Sequence, residues 1–178
     1  MYDEVLVPTD GSEAAEAAID HAVDVASTYG ARLHALYVVD TSIYSSLEVG
    51  VETVVEALTE EGEKAVGRVA ERAGAADVPV ETHVVTGTAY PTILEVADEV
   101  DADLIVMATH GRRGIERYLL GSVTERIVRK SDVPVMTVRA GPEVGEGAGD
   151  EAGAETDGNG EDRDDEAAGD AEAAGDEV

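Results

Sequence analysis

Apolar and polar positions along the first 140 residues switch repeatedly between two periods. Val5-Leu6-Val7 is a short apolar run ending at Pro8-Thr9-Asp10-Gly11. Ala14, Ala17, Ala18, His21, Ala22 and Val25 then recur on one face of a predicted helix, and Gly30 is a natural stop. Residues 33–39 read as a strand, followed by a polar connection over 40–50. Val51, Val54, Val55, Leu58, Ala65, Val69 and Ala73 trace a longer helix that ends at Gly74. A strand over 80–85 precedes a third helix marked by Ile93, Leu94, Val96, Ala97 and Val100. A strand over 104–107 precedes a fourth helix, which opens after Gly121 and carries Val123, Ile127 and Val128. The last strand spans 133–138.

Five strands alternate strictly with four helices. Each gap leaves room for a helical crossover, which demands parallel pairing. Leu104-Ile105-Val106-Met107 is apolar throughout, as in a strand covered on both faces. The pattern predicts an α/β fold: an open, doubly wound five-stranded parallel sheet with right-handed crossovers. Such sheets bind ligands beyond the carboxyl ends of their strands, where strand order reverses. That directs attention to 8–12, 39–50, 86–91, 108–122 and 139–140.

Composition divides the chain at about residue 140. Residues 141–178 hold 15 Asp/Glu against one basic residue, Arg163, and every Ile, Leu and Tyr precedes them. They predict a solvated, disordered acidic tail, with a docking tail for a basic partner as the rival reading. The core domain is 1–140, a usual size for one domain. Net charge is −28, which disfavours nucleic acid and acidic membranes as partners. Cysteine is absent, so disulfides and zinc–thiolate sites are excluded. With no apolar run of membrane length and no secretory leader, the cytoplasm is the expected location. Two lysines against ten arginines, with no Phe or Trp, add a halophilic, haloarchaeal-like signature. At about 1 M salt the Debye length is roughly 3 Å, so carboxylate repulsion is largely screened.

The segment after the fourth strand is the richest in candidate chemistry. Met107-Ala108-Thr109-His110-Gly111 leads through Arg112 and Arg113 to Gly121-Ser122-Val123-Thr124 at a helix N-terminus. Free N–H groups and the helix dipole favour an anion there, and Ser122 and Thr124 add hydroxyls. Six of the twelve basic residues, Arg112, Arg113, Arg117, Arg126, Arg129 and Lys130, fall within this stretch. The structural alternative has Ser122 capping the helix, with Glu125 at capping-box spacing and the arginines in local ion pairs. Pro8-Thr9-Asp10-Gly11-Ser12 is the second candidate. Asp10 either accepts hydrogen bonds from a ribose or base, or caps the first helix with Glu13 at capping-box spacing. His21 reads as packed, and His34 and His83 as structural within strands. His110 either donates to a phosphate or orients its loop. No metal site is spaced within 1–140, and neither a Walker loop nor a G-x-G-x-x-G follows the first strand.

With these residues in place, the chain resembles the universal stress protein family over about 2–139. Nucleotide-binding members carry a glycine, two residues, a glycine, nine residues, then glycine and Ser/Thr. Here Gly111, the nine residues 112–120 and Gly121-Ser122 match, while Ala108 stands at the first glycine position. Val-Pro-Thr-Asp-Gly-Ser at 7–12 and Ser-Asp-Val-Pro-Val-Met-Thr-Val at 131–138 are similar to the family's opening and closing strands. The resemblance implies strand order 3-2-1-4-5 and an ATP site, with or without Mg²⁺. Pro8, Thr9 and Asp10 would lie near the adenosine. Val39 would meet the base through its backbone, and Met107 and Ala108 would border the ribose and phosphates. Gly111, Gly121, Ser122, Val123 and Thr124 would cradle the phosphates. The resemblance also implies a homodimer through strand 133–138. The Ala108 methyl adds bulk, and would add strain if its φ had to be positive. Binding should survive it, but weaker. Nothing supplies an evident general base or arginine finger, so ATP reads as a regulatory ligand. The alternatives are a nucleotide-free dimeric adaptor and a slow ATPase.

Overall fold

Each of the five apolar runs is a strand in the structure, a computed structural model that describes residues 1–41, 51–111 and 120–139. The strands are β1 (Glu4–Pro8), β2 (Arg32–Val39), β3 (Val80–Thr86), β4 (Leu104–Ala108) and β5 (Val135–Val138). The helices are α1 (Glu13–Tyr29), α2 (Val51–Ala75), α3 (Ala89–Glu99) and α4 (Ser122–Lys130). All strand pairs are parallel and the order is β3-β2-β1-β4-β5, as expected. The acidic segment 141–178 and Arg112, Arg113 and Arg117 lie outside the described residues.

Alternate strand residues feed two separate cores. Val5, Val7, Leu33, Ala35, Leu104 and Val106 pack with Ala18, Ile19, Ala22, Val69 and Ala73 of α1 and α2. Leu6, Leu36, Ile105 and Met107 pack with Ile93, Val96, Ala97 and Ile127 of α3 and α4. Both faces of the central strands are therefore covered, and all five residues of β4 are buried. Burial of each large side chain stabilises by about 1.5–3 kcal/mol.

The local details depart from the sequence pattern in three places. The buried stripe of α1 is Ala15, Ala18, Ile19, Ala22 and Ala26, while His21, expected to be packed, is exposed. Ile19 is the one large apolar side chain among these five, and it sets the face, leaving His21 turned off it. Ser12, not Asp10, is the N-cap, accepting from the Ala15 N–H at 3.3 Å. Asp10 Oδ1 in turn accepts from the Ser12 N–H (3.0 Å) and hydroxyl (2.5 Å). β5 begins at Val135 rather than 133. The Val133 N–H is turned back to Ser131 Oγ, and Pro134 has no N–H to give the ladder. Among the described residues, no helix is long and apolar enough to cross a membrane.

Candidate functional site

β1 neighbours both β2 and β4, so strand order reverses around it and a crevice is expected at its carboxyl end. The β1–β4 ladder runs only through Val5–Leu104 and Leu6–Ile105, beyond which no pairing joins the two strands. A cavity of about 430 Å³ opens there. It is lined by Pro8, Thr9 and Asp10 after β1, Met107 and Ala108 in β4, His110 and Gly111 after it, and Gly121, Ser122, Val123 and Thr124 at the start of α4. Ten of the eleven site residues expected from the sequence thus converge on one space.

Val39 is the exception. Its side chain is in the α1–α2 core, and its carbonyl accepts from the Gly87 N–H at 3.1 Å. Its neighbours Val38 and Asp40 line the cavity in its place. The cavity takes side chains from both faces of β2, Tyr37 from the α1–α2 side and Leu36 and Val38 from the α3–α4 side.

The walls are held by specific hydrogen bonds. The Thr9 N–H donates to the Leu36 carbonyl at 2.8 Å, and Thr9 Oγ1 accepts from the Gly11 N–H at 3.1 Å. Asp40 Oδ2 accepts from the Ala89 N–H at 3.2 Å, serving the start of α3, whose own N-cap, Thr88, makes no side-chain cap. The Gly121 N–H donates to the Thr109 carbonyl at 2.8 Å, which closes the intervening loop at its base. Thr109 is itself tied to β5 through the Val138 carbonyl at 2.8 Å.

The N-terminus of α4 settles the capping alternative. Gly121 is the N-cap, with φ −60° and ψ 148°, and makes no side-chain cap; Ser122 is the first helical residue. Ser122 is not the cap, and the first turn of α4 presents N–H groups without a capping side chain from position 121. The Thr124 hydroxyl donates to the Ala108 carbonyl at 3.0 Å and is buried, so its hydrogen is committed to the fold. Ser122 is exposed and supplies the hydroxyl at this turn. His110 Nδ1 lies 2.9 Å from Thr109 Oγ1, and its Nε2 is buried with no hydrogen-bond partner among the described residues, at the cavity wall. An orphaned ring nitrogen beside uncapped N–H groups suits an acceptor-rich ligand.

Ala108 carries no strain. It ends β4 in register with Val138, and the described non-glycine residues with positive φ are Asp77 and Asp101. The described basic residues of this stretch do not line the cavity. Arg129 pairs with Glu125 at 2.9 Å, and the Arg126 guanidinium lies 5.6 Å from the centre of the Tyr90 ring. The described donors at this turn are therefore the main-chain N–H groups of α4 and the Ser122 hydroxyl. Sequence reasoning missed Leu36, Tyr37, Leu58 and Ile93 as lining residues, because the contributions of β2 before its end and of α2 and α3 follow from packing and carry no motif.

Known proteins share this architecture. A universal stress protein of Methanocaldococcus jannaschii is 39% identical over 141 residues, 78% of this chain and 83% of that one. The solved structure of a universal stress protein from Lactobacillus plantarum matches with a TM-score of 0.72 and 30% identity, covering 78% of this chain and 98% of the other. A universal stress protein solved in complex with cAMP matches with a TM-score of 0.60 and 31% identity, covering 78% and 97%. The universal stress protein family model matches residues 1–139, and with the sheet order and switch-point cavity described above, this chain belongs to the universal stress protein family.

Proposed function

We propose that the chain binds an adenine nucleotide, ATP in its working form, and uses it as the regulatory ligand of a dimeric stress-response protein. The observation that carries this reading is the convergence of ten expected residues on one cavity beside an uncapped helix N-terminus. A volume of about 430 Å³ lies within the usual range for small-molecule sites. Leu36, Val38, Leu58 and Ile93 offer apolar surface to a base. Asp10 and Asp40 carry acceptors suited to ribose hydroxyls or an exocyclic amine. The α4 turn, Ser122 and His110 supply donors to phosphate oxygens, with Mg²⁺ accompanying the triphosphate where present. The relative solved with cAMP supports the nucleotide class.

The test is calorimetric titration of ATP, with and without Mg²⁺, into the full chain in high salt. Saturable heat supports the reading. No heat at millimolar ATP overturns it and leaves the nucleotide-free adaptor. Multiple-turnover phosphate release on the order of 1 s⁻¹ would overturn the regulatory role in favour of an ATP-consuming enzyme.

The charge of −28 belongs to the same proposal, which places the protein in the cytosol of a salt-accumulating host. Its melting temperature should rise from low to molar KCl as carboxylate repulsion is screened, and an unchanged value would remove the halophilic reading.

A further inference from the structure

A second cluster of chemically active side chains lies away from the cavity, toward the amino ends of the strands. The β2–β3 register pairs His34 with Glu81 and Leu36 with His83, and β1–β2 pairs Leu6 with His34. His34, Glu81 and His83 therefore share the sheet face that Leu6 and Leu36 present to α3 and α4. One ligand atom from each of the three lies within 4.8 Å of the other two.

We propose that His34, His83 and Glu81 form a binding site for a divalent transition-metal ion of the zinc type.

His34 is buried, and its Nε2 lies 2.7 Å from Glu4 Oε2. Against a carboxylate acceptor, Nε2 carries the proton, which leaves the lone pair of a neutral His34 on Nδ1. That Nδ1 faces His83 Nε2 at 3.1 Å. Two nitrogens bound about 2.0–2.1 Å from one tetrahedral ion lie roughly 3.3 Å apart, so the imidazoles are already near ligating separation. Glu4 behind His34 is the carboxylate–histidine arrangement that orients a ligand ring and raises its basicity.

Charge favours a dication here. Glu4, Glu81 and Glu99 act on the cluster, and Arg32 is paired with two of them. Arg32 Nη1 is 3.2 Å from Glu81 Oε1 and 3.9 Å from Glu4 Oε1, which leaves the second oxygen of Glu81 for the ion. Two imidazoles and one carboxylate suit zinc, cobalt or nickel over magnesium or calcium. Three protein ligands leave a fourth position for water. The ion would join β2 to the edge strand β3 and stabilise the folded chain by mass action.

The test uses the full chain without a polyhistidine tag, stripped with chelator and held in molar KCl to suppress loose cation binding by surface carboxylates. ZnCl₂ is titrated calorimetrically, and CoCl₂ is followed by its visible spectrum. The expected result is one saturable site with a tetrahedral cobalt spectrum, and an affinity at least about tenfold lower in both His83→Gln and Glu81→Gln. These two positions are more exposed than His34, so the variants should fold, which their melting curves check. No saturable site at about 100 µM Zn²⁺, or binding unchanged in both variants, overturns the proposal and leaves the histidine pair as a hydrogen bond within the sheet.

Discussion

A side chain at position 111 would collide with Asp10: a Cβ built on Gly111 falls 2.5 Å from Asp10 Oδ2. The loop leaving β4 thus passes directly over the carboxylate that follows β1, and the two halves of the candidate site meet at this contact. The other oxygen of Asp10 holds Ser12, the N-cap of α1. Gly111→Ala should rotate Asp10 away and loosen that cap. The expected cost is about 1 kcal/mol in denaturant unfolding, with ATP affinity reduced about tenfold. In an Asp10→Ala background the collision partner is gone, so the same substitution should cost little. Additive effects in the double-mutant cycle would show that the two positions are not coupled.

Gly121 makes the opposite argument. Its φ of −60° suits any residue, and an added Cβ would meet only ordinary contacts, 3.4 Å from the Thr109 carbonyl oxygen and 3.6 Å from His110 Cα. The protein alone does not require glycine there. Gly121→Asp should place a carboxylate on the N–H groups of α4 and raise stability by a few tenths to about 1 kcal/mol. The same carboxylate would occupy and repel the phosphate position, so ATP binding should disappear as the melting temperature rises. A variant that is stabilised yet still binds ATP would move the phosphates elsewhere.

Much of this was legible in the chain, and the gaps have physical causes. Apolar runs such as 104–107 and glycine stops such as Gly30 mark elements through local chemistry, so the alternation of strands and helices emerges directly. The convergence of 8–10 with 107–111 and 121–124 follows once the sheet is doubly wound, because all three segments end at one edge. Ser12 takes the cap that was one reading of Asp10, because both are good capping residues and only backbone geometry tells them apart. Val39 was expected through its backbone, and its neighbours Val38 and Asp40 are the residues that line the cavity there. The His34–His83 pair was invisible as a pair, since the two lie 49 positions apart and meet only through the β2–β3 register.

Acid should act on the fold through Asp103. Its Oδ2 accepts from the Asp3 N–H at 2.7 Å and the Glu4 N–H at 2.9 Å, fastening the start of β1 beside β4. These two hydrogen bonds hold its carboxyl below the ordinary value of 3.8. A depressed pKa in the folded state means that stability is present above the unfolded value and lost as pH falls through the folded one. Asp103→Asn should therefore cost about 0.5–1 kcal/mol at pH 7, a modest figure because water reaches the group. The difference from the parent chain should shrink as pH falls below about 4, read from urea unfolding at matched salt. A gap that stays constant down to pH 3 would assign the effect to packing instead of charge.

The dimer proposed through the last strand turns on which way β5 points its backbone. The Pro134 and Val138 carbonyls accept from the Ile105 and Thr109 N–H groups, so even-numbered residues face β4. The backbone groups of Val135 and Thr137 then point outward, where a second copy would pair. Thr137 is exposed, and Thr137→Pro removes one outward N–H while sparing the ladder to β4. The variant should stay folded, within about 1 kcal/mol of the parent, and run as a monomer in light scattering in high salt. Thr137→Val keeps the N–H and should remain a dimer. A Thr137→Pro chain that still dimerises would remove β5 pairing as the interface, because a proline at that position cannot donate across it.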